Sequence, residues 1–170
     1  MRVTETPAIV ARSGRRWPLF LGLAAFVVVA DQVTKAWLVA RLAPGDSVAV
    51  LDGWLRLVHS RNTGGLFGLF GGHAEILAIV SLGVIGLIVA YHARAVPSPV
   101  LSVTLGLLLG GAIGNLLDRL RLGYVVDFVD AGIGNVRWYT FNVADAAISF
   151  ALLGLVAIAI WPELGRDRGA

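Results

Sequence analysis

The sequence predicts an α-helical polytopic membrane protein, with four transmembrane helices and a small extracytoplasmic β-sheet between the first and second. Three observations carry this expectation. Hydrophobic residues make up 57% of the 170 residues and charged residues only 15%, with a mean hydropathy of +0.79. Soluble domains are about a quarter charged, so so few charges cannot cover a water-exposed surface. The apolar residues also gather into four runs close to the ~20 residues that a bilayer crossing needs. Finally, "WLRLVHS" (54–60) alternates apolar and polar residues in the manner of a half-buried strand, and Asp52-Gly53 before it reads as a hairpin turn.

The spans are read as Trp17 to Ala40, Ala74 to His92, Pro99 to Leu117 and Phe141 to Trp161. Trp17, Trp37 and Trp161 fall near span ends, where amphipathic rings favour the interface. Arg12, Arg15 and Arg16 before a short apolar run, with Val28 and Ala30 as a cleavage site, also fit a secretory signal peptide. The aliphatic and aromatic residues that continue beyond Ala30 favour a span. An even number of crossings puts both termini on one side. Arg2, Arg12, Arg15 and Arg16, with Arg94 between spans two and three and Arg166 and Arg168 after span four, make that side cytoplasmic. The tails are 1–16 and 162–170, and the extracytoplasmic segments are 41–73 and 118–140. Residues 1–170 form a single membrane-embedded domain, without repeats or low-complexity tracts.

Composition also excludes chemistry. There is no cysteine, hence no disulfide, thiolate nucleophile or Cys-ligated metal. The formal net charge of +3, with scattered arginines, does not suggest nucleic acid. His59, His73 and His92 lack metal-ligand spacing and read as interfacial or loop residues. "NTGGLFG" (62–68) lacks the lysine and hydroxyl residue of a phosphate loop.

The span directions place the costly polar groups in one layer. Asp31 and Lys35 lie in the outer half of span one. Asn115, Asp118 and Arg119 lie at the outer end of span three, and Asn142 and Asp145 at the start of span four. Asn62 and Asp127 belong to the outer segments. Ionisable groups in a membrane usually face a cavity or a partner, so this layer is a candidate site. Asp31 and Lys35, at i and i+4, pair either as a structural fixture or as part of that site. Asp118 and Arg119 read as structural or headgroup-binding, and Asp130 as a solvated loop charge. Asn62 and Asn142 can orient a carboxylate but cannot exchange its proton. Asp127 and Asp145 remain. Two carboxylates at a partly dry surface cannot both ionise easily, so one holds a proton while the other can take one from an attacking water. They read as a peptide-hydrolysing pair. A proton-coupled carrier is the alternative, but carriers tend to place such groups near the midplane, often between repeats. A structural membrane subunit would leave the aspartate pair unexplained.

Five short stretches, in order, resemble the lipoprotein signal peptidases, the type II signal peptidases of bacteria. Asp31-Gln32-Val33-Thr34-Lys35 resembles the family's D-Q-x-x-K, and Asn62-Thr63-Gly64 with Phe67 its N-x-G-x-x-F. "GGAIGNLLDR" (110–119) resembles G-G-x-x-G-N-x-x-D-R, "GYVVDF" (123–128) G-x-V-x-D-F, and "FNVAD" (141–145) F-N-x-A-D. Gly65-Leu66 departs from the family's usual pair of alanines. The resemblance implies a membrane aspartyl endopeptidase with Asp127 and Asp145 as catalytic residues and no metal or other cofactor. It implies that Asn62, Gly64, Asn115, Arg119 and Asn142 line the site and that Asp31 and Lys35 support it. The implied substrates are diacylglyceryl-modified prolipoproteins, cut just before the lipidated cysteine. The expected setting is the bacterial cytoplasmic (inner) membrane, with membrane lipids as neighbours, a monomeric chain and the site at the outer face.

Overall fold

The computed structural model describes residues 16–64, 72–95 and 98–166; the sequence readings at Arg2, Arg12, Arg15, Gly65, Leu66, Phe67 and Arg168 lie outside them. Among the described residues, four helices are long and apolar enough to cross a membrane: α1 (Trp17–Val39), α2 (Ala74–Arg94), α3 (Pro99–Leu122) and α4 (Val143–Ile160). α3 is the central post, touching each of the other three. Its apolar window is 67% buried, against 28%, 17% and 17% for α1, α2 and α4. Glycine explains the closeness. A Cβ at Gly106 would come 2.8 Å from the Phe20 carbonyl oxygen, and one at Gly111 would come 2.5 Å from that of Ala144. Small residues let helix backbones approach where lipid offers no hydrophobic drive for association. Phe20, Ala24, Ile88, Leu101, Leu105 and Leu109 form the buried core of the bundle. Side chains such as Phe26, Ile79, Leu87 and Leu153 point outward, as a lipid-facing surface requires.

The helix ends follow local chemistry, and at the end of α3 and the start of α4 they differ from the apolar runs. Ser98 caps α3 by accepting from the Leu101 N–H, with Pro99 in the first turn. The helix runs on past the predicted end at Leu117 and stops only at Gly123, whose φ of 76° is left-handed. α4 begins at Val143, two residues after the predicted Phe141, because Asn142 is its N-cap and forms a capping box with Asp145.

A four-stranded antiparallel sheet in the order β1-β2-β3-β4 joins β1 (Ser47–Leu51), β2 (Leu55–Asn62), β3 (Val125–Ile133) and β4 (Val136–Arg137). The segment between the first two helices supplies only half of it; the remainder comes from the segment after α3. Register pairs Ser60 with Asp127 and Asn62 with Val125. Phe141 bridges Val129, so the chain leaves the sheet directly into α4.

Three sequence readings are corrected. Asp130 is no solvated loop charge: it lies in β3, is 8% exposed and is gripped by Arg56 at 3.0 Å and Arg137 at 2.8 Å. His59 is buried, with Nδ1 2.8 Å from the Leu42 carbonyl oxygen, and His92 is buried with its ring stacked on Phe20 at 4.1 Å. Asp118 takes the structural one of its two expected roles, pairing with Lys35 at 2.9 Å.

Candidate active site

The expected polar layer forms one connected cluster at the sheet-bearing end of the bundle. Asp127 comes from β3 and Asp145 from the first turn of α4, and Asn142 ties them together. Its side chain donates to Asp127 Oδ1 at 2.7 Å, while its backbone N–H donates to Asp145 Oδ2 at 3.2 Å. Its Oδ1 in turn accepts from the Asp145 N–H at 2.9 Å. The local sequence dictates this: a helix start leaves its first N–H groups unpaired, and an Asn three residues before an Asp satisfies them reciprocally. The second carboxylate oxygen of Asp127 accepts from Asn62 Nδ2 at 3.0 Å, and Asp145 Oδ1 accepts from Asn115 Nδ2 at 2.7 Å. Three asparagines therefore fix the two acids, and none of them can compete for the proton.

Asp127 is only 1% exposed. Burial, and then the neighbouring Asp145 charge, push its carboxyl up to about 7, against the pull of Asn62, Asn142 and Lys35. A carboxylic acid that exchanges its proton near neutrality is suited to general acid–base work. Ser60, Arg61, Asn62, Thr63, Gly64, Tyr139 and Thr140 line the cleft that opens onto Asp127. The Asn62 side chain also accepts from the Gly64 N–H at 3.0 Å, and Arg119 donates to the Gly64 carbonyl at 3.3 Å. That rim is thus held from both sides.

Behind the aspartates, Lys35 sits between Asp31 at 2.7 Å and Asp118 at 2.9 Å, with all three buried. Lys35 also donates to Asn115 Oδ1 at 3.3 Å, which joins this cluster to the Asp145 side. All nine residues singled out as site residues belong to the one network: Asp127, Asp145, Asn62, Gly64, Asn115, Arg119, Asn142, Asp31 and Lys35.

Sequence reasoning passed over two participants. Gln32 donates to Asp118 at 3.0 Å and accepts from Arg121 at 3.2 Å. Its position inside the D-Q-x-x-K stretch was the available signal. Tyr139 stands at the cleft mouth, where burial and the charges of Asp127 and Asp145 raise its phenol above the usual value. The adjacent Trp138 and Phe141 masked it as one more interfacial aromatic.

The family model for signal peptidase (SPase) II matches residues 23–161. The lipoprotein signal peptidase of Syntrophomonas wolfei is 40% identical over 156 residues, covering 92% of this chain and 99% of the relative. That of Geobacillus kaustophilus is 42% identical over 150 residues, with 85% and 97% covered. A bacterial membrane enzyme solved in meso at 2.3 Å superposes with a TM-score of 0.80 and 27% identity, covering 89% of this chain and 93% of that one. A second, solved at 1.9 Å, gives 0.76 and 30%, with 85% and 94% covered. With a family model across both aspartates and relatives covered almost end to end, the chain belongs to the signal peptidase II family.

Proposed function

We propose that this chain is a membrane aspartyl endopeptidase that removes signal peptides from diacylglyceryl-modified prolipoproteins in bacterial lipoprotein maturation. The cut falls just before the lipidated cysteine. The observation that carries the reading is the pair of carboxylates, from β3 and α4, tied together by the single residue Asn142. Asp127 and Asp145 share one proton. The ionised member takes a proton from water as the water oxygen attacks the scissile carbonyl carbon. The protonated member donates to the carbonyl oxygen, and collapse of the tetrahedral intermediate returns a proton to the leaving amine. The two carboxyl groups supply or receive every proton in the cycle.

Location suits such a substrate. A signal helix and two acyl chains stay in lipid, while the bond after the helix reaches a cleft at the membrane surface. In this reading the amino terminus, Arg94 and the carboxyl tail are cytoplasmic, and the sheet and both aspartates face outward. The guanidinium of Arg41 over Trp37 at 4.5 Å suits an interfacial belt at that level. Asn62, Gly64 and Arg119 hold the substrate-facing rim, and the chain acts as a monomer without nucleic acid. The test is cleavage by purified protein of one prolipoprotein with and without its diacylglyceryl group. Cleavage of the modified form alone is expected. Equal turnover of both forms would remove the lipid requirement, and no turnover of either would remove the assignment.

A further inference from the structure

We infer that Asp31 and Asp118 are positioning residues, each fixing the backbone one residue before one of the two aspartates, with Lys35 as the post that sets the spacing between them. The inference rests on the reading of Asp127 and Asp145 as the reacting pair. Asp31 Oδ1 accepts from the N–H of Ala144, which precedes Asp145, at 2.9 Å. Asp118 Oδ2 accepts from the N–H of Val126, which precedes Asp127, at 3.0 Å. The remaining contacts of both carboxylates converge: Lys35 Nζ lies 2.7 Å from Asp31 and 2.9 Å from Asp118, and Gln32 Nε2 donates to both, at 3.2 Å and 3.0 Å.

A register-fixing ion pair would need only Asp31 and Lys35. The cluster instead buries two carboxylates around one ammonium, which is unfavourable unless the surplus acceptor capacity is used. It is used on these two amides. The Ala144 N–H is in the first turn of α4, where no intrahelical partner exists. The start of a strand and the start of a helix, already joined by the Phe141–Val129 bridge and by Asn142, are thereby also held from the side facing α1 and α3. An error of about 1 Å in such a pair costs about 10²-fold in rate.

The test uses purified full-length Asp118→Ala and Asp118→Asn on diacylglyceryl-modified prolipoprotein. Asp118→Ala is expected to lower kcat by about 10–100-fold, with KM held within about threefold. The separation between the two limbs of its kcat–pH profile is expected to change, because the interaction between the carboxylates sets it. Asp118→Asn keeps an oxygen for the Val126 N–H and is expected to recover most of the lost kcat. A fall in folded yield and Tm alone, with parental kcat per folded enzyme and parental pH limbs, would overturn the inference. Should Asp118→Ala yield no folded protein, Asp31→Asn reads the same point: its single oxygen must serve either Ala144 or Lys35. A comparable fall in kcat is then expected, and parental kcat would overturn the inference. Asp127→Asn, run in parallel, separates the two readings. Parental turnover there removes the reacting pair itself. An inactive Asp127→Asn beside a parental Asp118→Ala removes only the spacing role.

Discussion

Asn142 concentrates the site's demands on one residue. It is fully buried, caps α4 and donates to the carboxylates of both Asp127 and Asp145. Asn142→Ala is expected to cost about 1 kcal/mol as a lost cap. Because it also removes the amide that holds Asp127 Oδ1, kcat is expected to fall about 10²-fold, beyond what loss of folded protein explains. Thermal unfolding in detergent, read beside kcat per folded enzyme, separates the two effects. Asp127 makes stability depend on pH. The folded protein keeps its proton up to about pH 7, whereas an unfolded chain releases it near the usual 3.8. Between those values the folded state binds more protons, so raising the pH across that window lowers stability. Asp127→Asn has no such proton. Its Tm is expected to fall less than the parent's between pH 4 and pH 7, and parallel curves would contradict the raised value.

At the scale of elements, α3 positions the site by its glycines. A Cβ at Gly111 would meet the Ala144 carbonyl oxygen at 2.5 Å and Ile148 Cγ1 at 2.6 Å. Both lie on α4, next to Asp145. Gly111→Ala is expected to push α4 outward, to cost about 1–3 kcal/mol and to lower turnover, whereas Gly83→Ala, with nothing within 4 Å, is expected to do neither. Measured Tm and cleavage rates for the pair check this. The same elements mark what was legible. The apolar runs predicted all four helices because lipid demands a length and a composition. Three helix starts were legible, at Trp17, Ala74 and Pro99, but hydropathy is blind to capping: Asn142 sets the start of α4, and Gly123 the end of α3. Half of the sheet was missed because β3 reads "VVDFVDAGI", buried or half-buried up to its last residue, without the alternation that betrayed β2. Asp130 looked solvated for the same reason, since its partners Arg56 and Arg137 lie 74 and 7 residues away in the chain.

Across the whole molecule, the polar layer was legible because helix direction and residue position along each span fix depth. The branching of the network was not, since Asp118 reaching Lys35 rather than Arg119 depends on how α1 packs on α3. The proposed orientation predicts that single cysteines at Asp52 and the exposed Val136 react with an impermeant thiol reagent in intact cells, and that one at Arg94 does not. Reaction at position 94 would invert the topology. The central claim, that Asp127 and Asp145 together perform the cleavage, is tested most directly by the gel mobility shift of a diacylglyceryl-modified precursor. The enzymes compared are the parent, Asp127→Asn, Asp145→Asn and Asp130→Asn. Asparagine keeps the shape but cannot cycle a proton, so the first two variants are expected to lose about 10²–10⁴-fold or more while remaining folded and able to bind precursor. Asp130→Asn, bound to Arg56 and Arg137 away from the reacting pair, is expected to keep most of its turnover. Near-parental cleavage by Asp127→Asn or Asp145→Asn, or loss of cleavage in Asp130→Asn alone, would contradict the account.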